Sequence, residues 1–158
     1  VDAVKIVSVS VAGKFDSTRA ADRQHWENVR DVWVYWTWED GGRSHQEMRL
    51  IPRGFRWDGA SRPDWIGWLI PRGGVFLLAS AVHDDAFKER FFLSDGQRIS
   101  RKHADMLFLE LMRYLAAERV TDGWKGHAQI VLAETMYRAV RLFGEPVWDN
   151  HDSEFRAT

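Results

Sequence analysis

The sequence predicts an α+β fold: a small N-terminal antiparallel β-sheet, then an ordered loop, then a three-helix unit. Three observations predict it. The first third of the chain alternates apolar and polar side chains with period 2, the signature of half-buried strands. A stretch rich in proline and glycine follows. Beyond residue 74 the apolar residues recur at spacings of three and four, as on one face of a helix.

Each element can be justified in order. Residues 4–11, "VKIVSVSV", alternate as a strand does, and "DVWVYWTWED" continues in β-branched and aromatic residues. "DGGRS" supplies turn chemistry and "HQEMRLIP" a return strand, which together predict a hairpin. The polar segment between, about 16–28, reads as a loop or short helix. These elements place the sheet in residues 1–52. From Pro52 to Gly74 lie three of the chain's four prolines and five of its twelve glycines. Residues 53–73 are therefore expected to form an ordered loop with one short helical turn at "DWIGWLI". Three helices are expected within 74–144. The first covers about 74–91. The second runs from an N-cap at Ser100 to about 119. The third runs from a cap at Asp122 to about 143, with Gly144 placed as a C′ glycine. The tail "EPVWDNHDSEFRAT", 145–158, is polar and expected to fray.

At 158 residues the chain is expected to form a single domain. It has no cysteine, which excludes disulfides and thiolate chemistry. The formal net charge of −1, with acids and bases interspersed, predicts no nucleic-acid partner and no polybasic membrane anchor. No apolar run reaches the ~20 residues of a membrane span, and no signal-peptide pattern opens the chain. Nine tryptophans are expected to fill the core and cover sheet faces.

The residues that carry chemistry lie on the first two helices. His83 falls within the apolar arc formed by Val75, Phe76, Ala79, Val82, Ala86 and Phe87. Asp84 lies a quarter turn away, at the edge of that arc. On the second helix Asp105 borders a stripe of Ala104, Leu107, Phe108, Leu111, Met112 and Leu115. An antiparallel pair would bring His83 and Asp105 to similar heights across an interhelical gap of ~8–10 Å, within reach of a hydrogen bond. A carboxylate accepting the Nδ1 proton of an imidazole fixes its tautomer, and the other nitrogen then deprotonates a water or hydroxyl. Asp84 would serve as ligand to a cation, for which calcium and the loop 57–64 are the candidates. The same pair also reads as a satisfied structural contact between two helices, so geometry leaves both roles open.

Two resemblances bear on that choice. "IPRGFRWDGASRP", "HDDAF", "RKHADMLF" and "MYRAVRLFG" are similar to motifs of a family of phage and prophage proteins, the domain of unknown function 1353. Its members show V-P-x-G-F-x-T-D-x-A-S-x-P, H-D-x-x-Y, R-x-x-A-D-x-x-F and M-Y-x-A-V-R-x-F-G, over what is here about residues 50–144. Trp57 stands where that family has Thr, and Phe87 where it has Tyr. Second, "SAVHDDAF" and "KHADMLF", with 22 residues from His83 to Asp105, resemble the phospholipase A2 motif of parvovirus capsid proteins. That resemblance covers about 35 residues.

It implies a calcium-dependent ester hydrolase acting on phospholipid at a membrane surface. His83 would be the base, Asp105 its dyad partner and Asp84 a calcium ligand, joined by Asp58 and Gly59 in the loop. The sequence departs from the phospholipase pattern in two ways: its Gly-rich calcium loop is replaced by "WDGASRP", and Phe87 replaces a tyrosine whose hydroxyl supports the dyad carboxylate. The first bears on calcium binding, the second on the strength of the site. The resemblances further imply action in a phage virion or an infected bacterial cell, with other virion proteins as partners.

The remaining features have plainer readings. Trp65, Trp68, Leu69 and Ile70 are expected to bury against the sheet, an interfacial patch being the alternative. Arg98 and Arg101 read as solvated surface residues, and His103 as incidental. A metal-dependent phosphohydrolase of the His-Asp type would need a further upstream histidine on a helix, whereas His25 and His45 lie in predicted loop and strand. The alternative to the hydrolase is a non-enzymatic virion or accessory protein in which the His–Asp pair only joins two helices.

Overall fold

The computed structural model describes residues 4–22, 25–57, 75–119, 123–146 and 148–149. Its order is β1 (Lys5–Ala12), β2 (Ser17–Arg19), β3 (Trp26–Asn28), β4 (Val32–Asp40), β5 (Arg43–Ile51), β6 (Arg56–Trp57), α1 (Val75–Glu89), α2 (Arg101–Arg119) and α3 (Gly123–Phe143). The α+β class is as the sequence predicts.

The larger sheet has the order β1-β4-β5, antiparallel throughout. On β4 strict alternation turns Val32, Val34, Trp36 and Trp38 inward, while Trp33 and Tyr35 face out. Gly41 and Gly42 close the β4–β5 hairpin with φ of 53° and 79°, the two positive values a type I′ turn requires. In β1 the register slips between Ile6 and Ser8. This bulge turns Val7 outward and returns Val9 and Val11 to the covered face, opposite Trp36 and Val34.

In a second sheet, β2-β3-β6, β2 and β3 occupy the segment expected to be loop or short helix, and β6 the start of the expected ordered loop. Strands of two or three residues show no readable period, and these are held by a side chain instead. Asn28 is buried, and its Nδ2 donates to the carbonyls of Arg30 (2.6 Å), Ile51 (3.1 Å) and Pro52 (3.3 Å). Its backbone N–H donates to Phe55 O and its carbonyl accepts from Gly54 N, which ties β3 to the turn before β6. Trp57, on β6, is wholly buried and donates Nε1–H to Ser80 Oγ on α1 (3.1 Å). The short helical turn expected at "DWIGWLI" lies outside the described residues, as do Asp58 and Gly59.

Helix α1 packs on α2 and α2 on α3; α2 also covers β1, while α1 meets β5 and β6. One continuous apolar core runs from Trp36 and Trp38 through Leu78 and Val82 to Leu107, Leu111 and Met112. Ser100 caps α2 as expected, its Oγ accepting from His103 N at 3.2 Å.

Gly144 is not a left-handed C′ residue. Its N–H continues the α-helical pattern to Val140 O (2.8 Å), and a Cβ there would stand 2.6 Å from that same oxygen. The chain goes on in helical path, with Trp148 N donating to Gly144 O at 3.0 Å. The start of the tail therefore docks where fraying was expected. Trp148 packs edge-on against Phe87 at 4.7 Å, lies under the Arg90 guanidinium and accepts from it at its carbonyl. An aromatic side chain within the polar run supplies the anchor.

Candidate functional site

Helix α1 buries an arc of Leu78, Val82 and Ala86 and carries His83 at its edge against α2. The imidazole lies between the rings of Phe87 (4.3 Å between centroids) and Phe108 (5.0 Å), so two aromatic residues fix its plane. From α2, Asp105 meets it: His83 Nε2 and Asp105 Oδ1 are 2.8 Å apart. The carboxylate is completely buried, whereas the His83 side chain keeps 12% exposure. The pairing expected from helix spacing is present, but through the other nitrogen. The imidazole crosses from one helix to the next and presents its far atom, Nε2, to the carboxylate. With Nε2–H donating, Nδ1 is the nitrogen left to accept a proton.

The second carboxylate oxygen of Asp105 is also engaged. Arg141 Nη1, from α3, donates to Oδ2 at 2.9 Å, and Arg101 Nε on α2 lies 3.6 Å from it. Arg101 is no solvated surface residue: its side chain is 13% exposed, and Nη2 donates to the carbonyls of Arg141 (2.5 Å) and Val140 (3.3 Å). It thus satisfies carbonyls at the C-terminus of α3, where a cation is favoured by the helix dipole. The i, i+4 spacing of Arg101 and Asp105 was a legible signal for that pairing. Arg141 had no local signal, since it lies 36 residues beyond Asp105. Arg98 donates to Arg90 O at 3.0 Å and stacks over Phe92.

Asp84, next to His83 on α1, has Lys88 Nζ 4.0 Å from its Oδ2. Among the described residues no three His, Asp or Glu side chains form a group that could hold a metal. The other expected calcium ligands, Asp58 and Gly59, lie outside the described residues.

Two further buried polar groups escaped the sequence. Asp85 is 3% exposed and receives a two-point salt bridge from Arg49 on β5, Nε to Oδ2 at 2.6 Å and Nη2 to Oδ1 at 3.0 Å. Burial holds the Asp85 carboxyl above its ordinary value, and the Arg49 hydrogen bonds and charge partly oppose that shift. The same bridge raises Arg49, against the cost of its own burial.

His103 is not incidental. It is 1% exposed, accepts from Trp36 Nε1 at Nε2 (3.1 Å) and packs edge-on against Trp38 (4.9 Å). Burial lowers its pKa to about 4, with the charges of Glu47 and Asp95 pulling weakly the other way. Its Nε2 is an acceptor, so the neutral Nδ1–H tautomer is the one that fits.

A family described as protein of unknown function (DUF1353) matches the chain over residues 38–140, well over half of its length. The chain belongs to the DUF1353 family. No curated protein and no solved structure matches it. The DUF1353 span holds His83, Asp84, Asp105, Arg101, His103 and the Arg49–Asp85 bridge, while β1, β2 and β3 precede it. Arg141 falls one residue past its end.

Proposed function

We propose that this protein is a phospholipase A2-like ester hydrolase of phage or prophage origin, with His83 as general base and Asp105 as its orienting partner. The observation that carries the reading is the 2.8 Å hydrogen bond from a partly exposed imidazole to a completely buried carboxylate. That bond fixes one tautomer and leaves Nδ1 to act. In the reaction Nδ1 takes a proton from water as the water oxygen attacks an ester carbonyl. The imidazolium, steadied by Asp105, then returns that proton to the leaving alkoxide, giving a free fatty acid and a lysophospholipid. Phe87 and Phe108 keep the ring in plane during both transfers.

The substrate class, a phospholipid at a membrane surface, rests on the "HDDAF" and "KHADMLF" motifs, as does action in the virion or the infected cell. Calcium binding through Asp84, Asp58 and Gly59 belongs to the same proposal, and no step here depends on it. The test is fatty-acid release from phospholipid vesicles, with calcium or with a chelator. His83→Gln is expected to lower release at least about 100-fold, the usual range for loss of a general base, with little change in melting temperature. Wild-type protein that releases no fatty acid under either condition sinks the hydrolase.

A second reading is favoured by one specific observation. Asp105 takes hydrogen bonds from α1 and α3 at once, as expected of a clamp joining three helices in a non-enzymatic virion or accessory protein. Under that reading His83→Gln lowers the melting temperature and there is no activity to lose.

A further inference from the structure

We infer that Trp148 is a latch on the His83 site, a positioning residue that holds Phe87 down over the imidazole and so controls access to it. Its catalytic meaning rests on the hydrolase reading; its test does not. Side chains on a helix lean toward its N-terminus, so Phe87, four residues after His83, lies back over that ring. The two ring centroids are 4.3 Å apart, and Phe87 is itself 5% exposed. With Phe108 on α2, 5.0 Å away, this cover leaves the His83 side chain 12% exposed. A base that must meet both a water and an ester needs the cover to move. Phe87 is held in place from outside the helix pair, by the Trp148 ring edge-on at 4.7 Å. It lacks the hydroxyl that the phospholipase pattern has at its position and serves as cover instead.

Arg90 locks the latch. Just past α1 it takes a φ of 44°, a left-handed value that glycine adopts freely and arginine only under strain. From that backbone its guanidinium stacks on the Trp148 ring. Nη2 donates to Trp148 O at 2.6 Å and Nε to Phe87 O at 3.2 Å. Arg90 O accepts from Arg98 at 3.0 Å, so the strained turn is itself held. One arginine, 5% exposed, thus grips cover and latch together. Trp148 follows α3 in helical path, its N–H on Gly144 O at 3.0 Å, and lies beyond the family span. The dyad therefore belongs to the family span, and the latch to the tail that follows it. Release of Trp148 frees Phe87 to turn about its side-chain bonds and opens His83 without unfolding either helix.

The experiment is carbethoxylation of the whole protein by diethyl pyrocarbonate at one fixed pH, read at each histidine by peptide mass spectrometry. The reference is His25, whose side chain is 40% exposed. In Trp148→Ala the rate at His83 relative to His25 is expected to rise about fivefold, the shift that loss of one aromatic edge contact gives a local opening. His103, 1% exposed in the core, is expected to stay as slow as in wild type. Trp148→Phe keeps a ring against Phe87 and is expected to stay close to wild type. An unmoved His83 rate in a folded Trp148→Ala protein overturns the inference, as does a rise that His103 shares or an equal rise in Trp148→Phe. Should Trp148→Ala fail to fold, wild-type protein decides. In urea below its unfolding midpoint His83 is expected to become reactive before His103, and a simultaneous gain overturns the inference. A Trp148→Ala protein in which His83 opens but which, like wild type, releases no fatty acid would sink the hydrolase reading and leave the latch standing.

Discussion

Asp105 has no access to water, yet it receives one imidazole and one guanidinium, with a second guanidinium close by. Taking such a carboxylate away leaves positive charge without its partner inside a three-helix contact. Asp105→Ala is therefore expected to cost about 3–5 kcal/mol in urea unfolding, the range for breaking a buried charge pair. Asp105→Asn keeps the shape, and Arg141, whose side chain is 37% exposed, can turn to water, so about half that cost is expected. Equal losses in the two variants would show that charge, not shape, is what the site needs. The dyad itself was legible because helical periodicity places His83 and Asp105 on facing edges. Which nitrogen meets the carboxylate was not, because that depends on how far the ring reaches across the gap. Arg141 was not legible either, since no local rule couples positions 36 apart.

The same contrast holds for whole elements. β1, β4, β5 and the three helices were legible because each is long enough to show a period of 2 or 3.6 and to bury one face. β2, β3 and β6 were not, because two or three residues carry no period and their place is set by Asn28. Sheet and helices are joined by the Arg49–Asp85 bridge, and its two ends are not equivalent. The Asp85 side chain is 4% exposed and that of Arg49 29%. Arg49→Met strands a carboxylate that cannot reach water, so a loss of about 3 kcal/mol is expected. Asp85→Leu frees an arginine that can reach water, and about 1–2 kcal/mol is expected after discounting for its exposure. Urea unfolding of both variants checks the order, and the reverse order would mean that the arginine is the buried end. The double variant is expected to fall close to wild type, since two apolar side chains replace a pair whose attraction mostly offsets its desolvation.

At the scale of the whole molecule, His103 joins the sheet to the helical layer by taking the Trp36 Nε1–H in the middle of the core. Only the neutral ring can do so: a second proton would occupy the nitrogen that accepts, on a side chain that is 1% exposed. That makes stability depend on pH in a definite direction. In the unfolded chain the imidazole takes its proton near 6.5, whereas in the folded protein it resists until about 4. Between those values the unfolded state binds more protons, so the contribution is whole above 6.5 and is lost as pH falls toward about 4. Two pH units below 6.5 the loss from this one group is about 2–3 kcal/mol, a large share of the stability of an ordinary domain. His103→Gln keeps an acceptor for Trp36 and removes the titration. Urea unfolding at pH 7.5 and 4.5 is expected to show wild type losing about 2–3 kcal/mol more than His103→Gln, other titrations being common to both. Equal losses would mean that the folded core admits the second proton, and that the Trp36–His103 bond does not depend on a neutral ring.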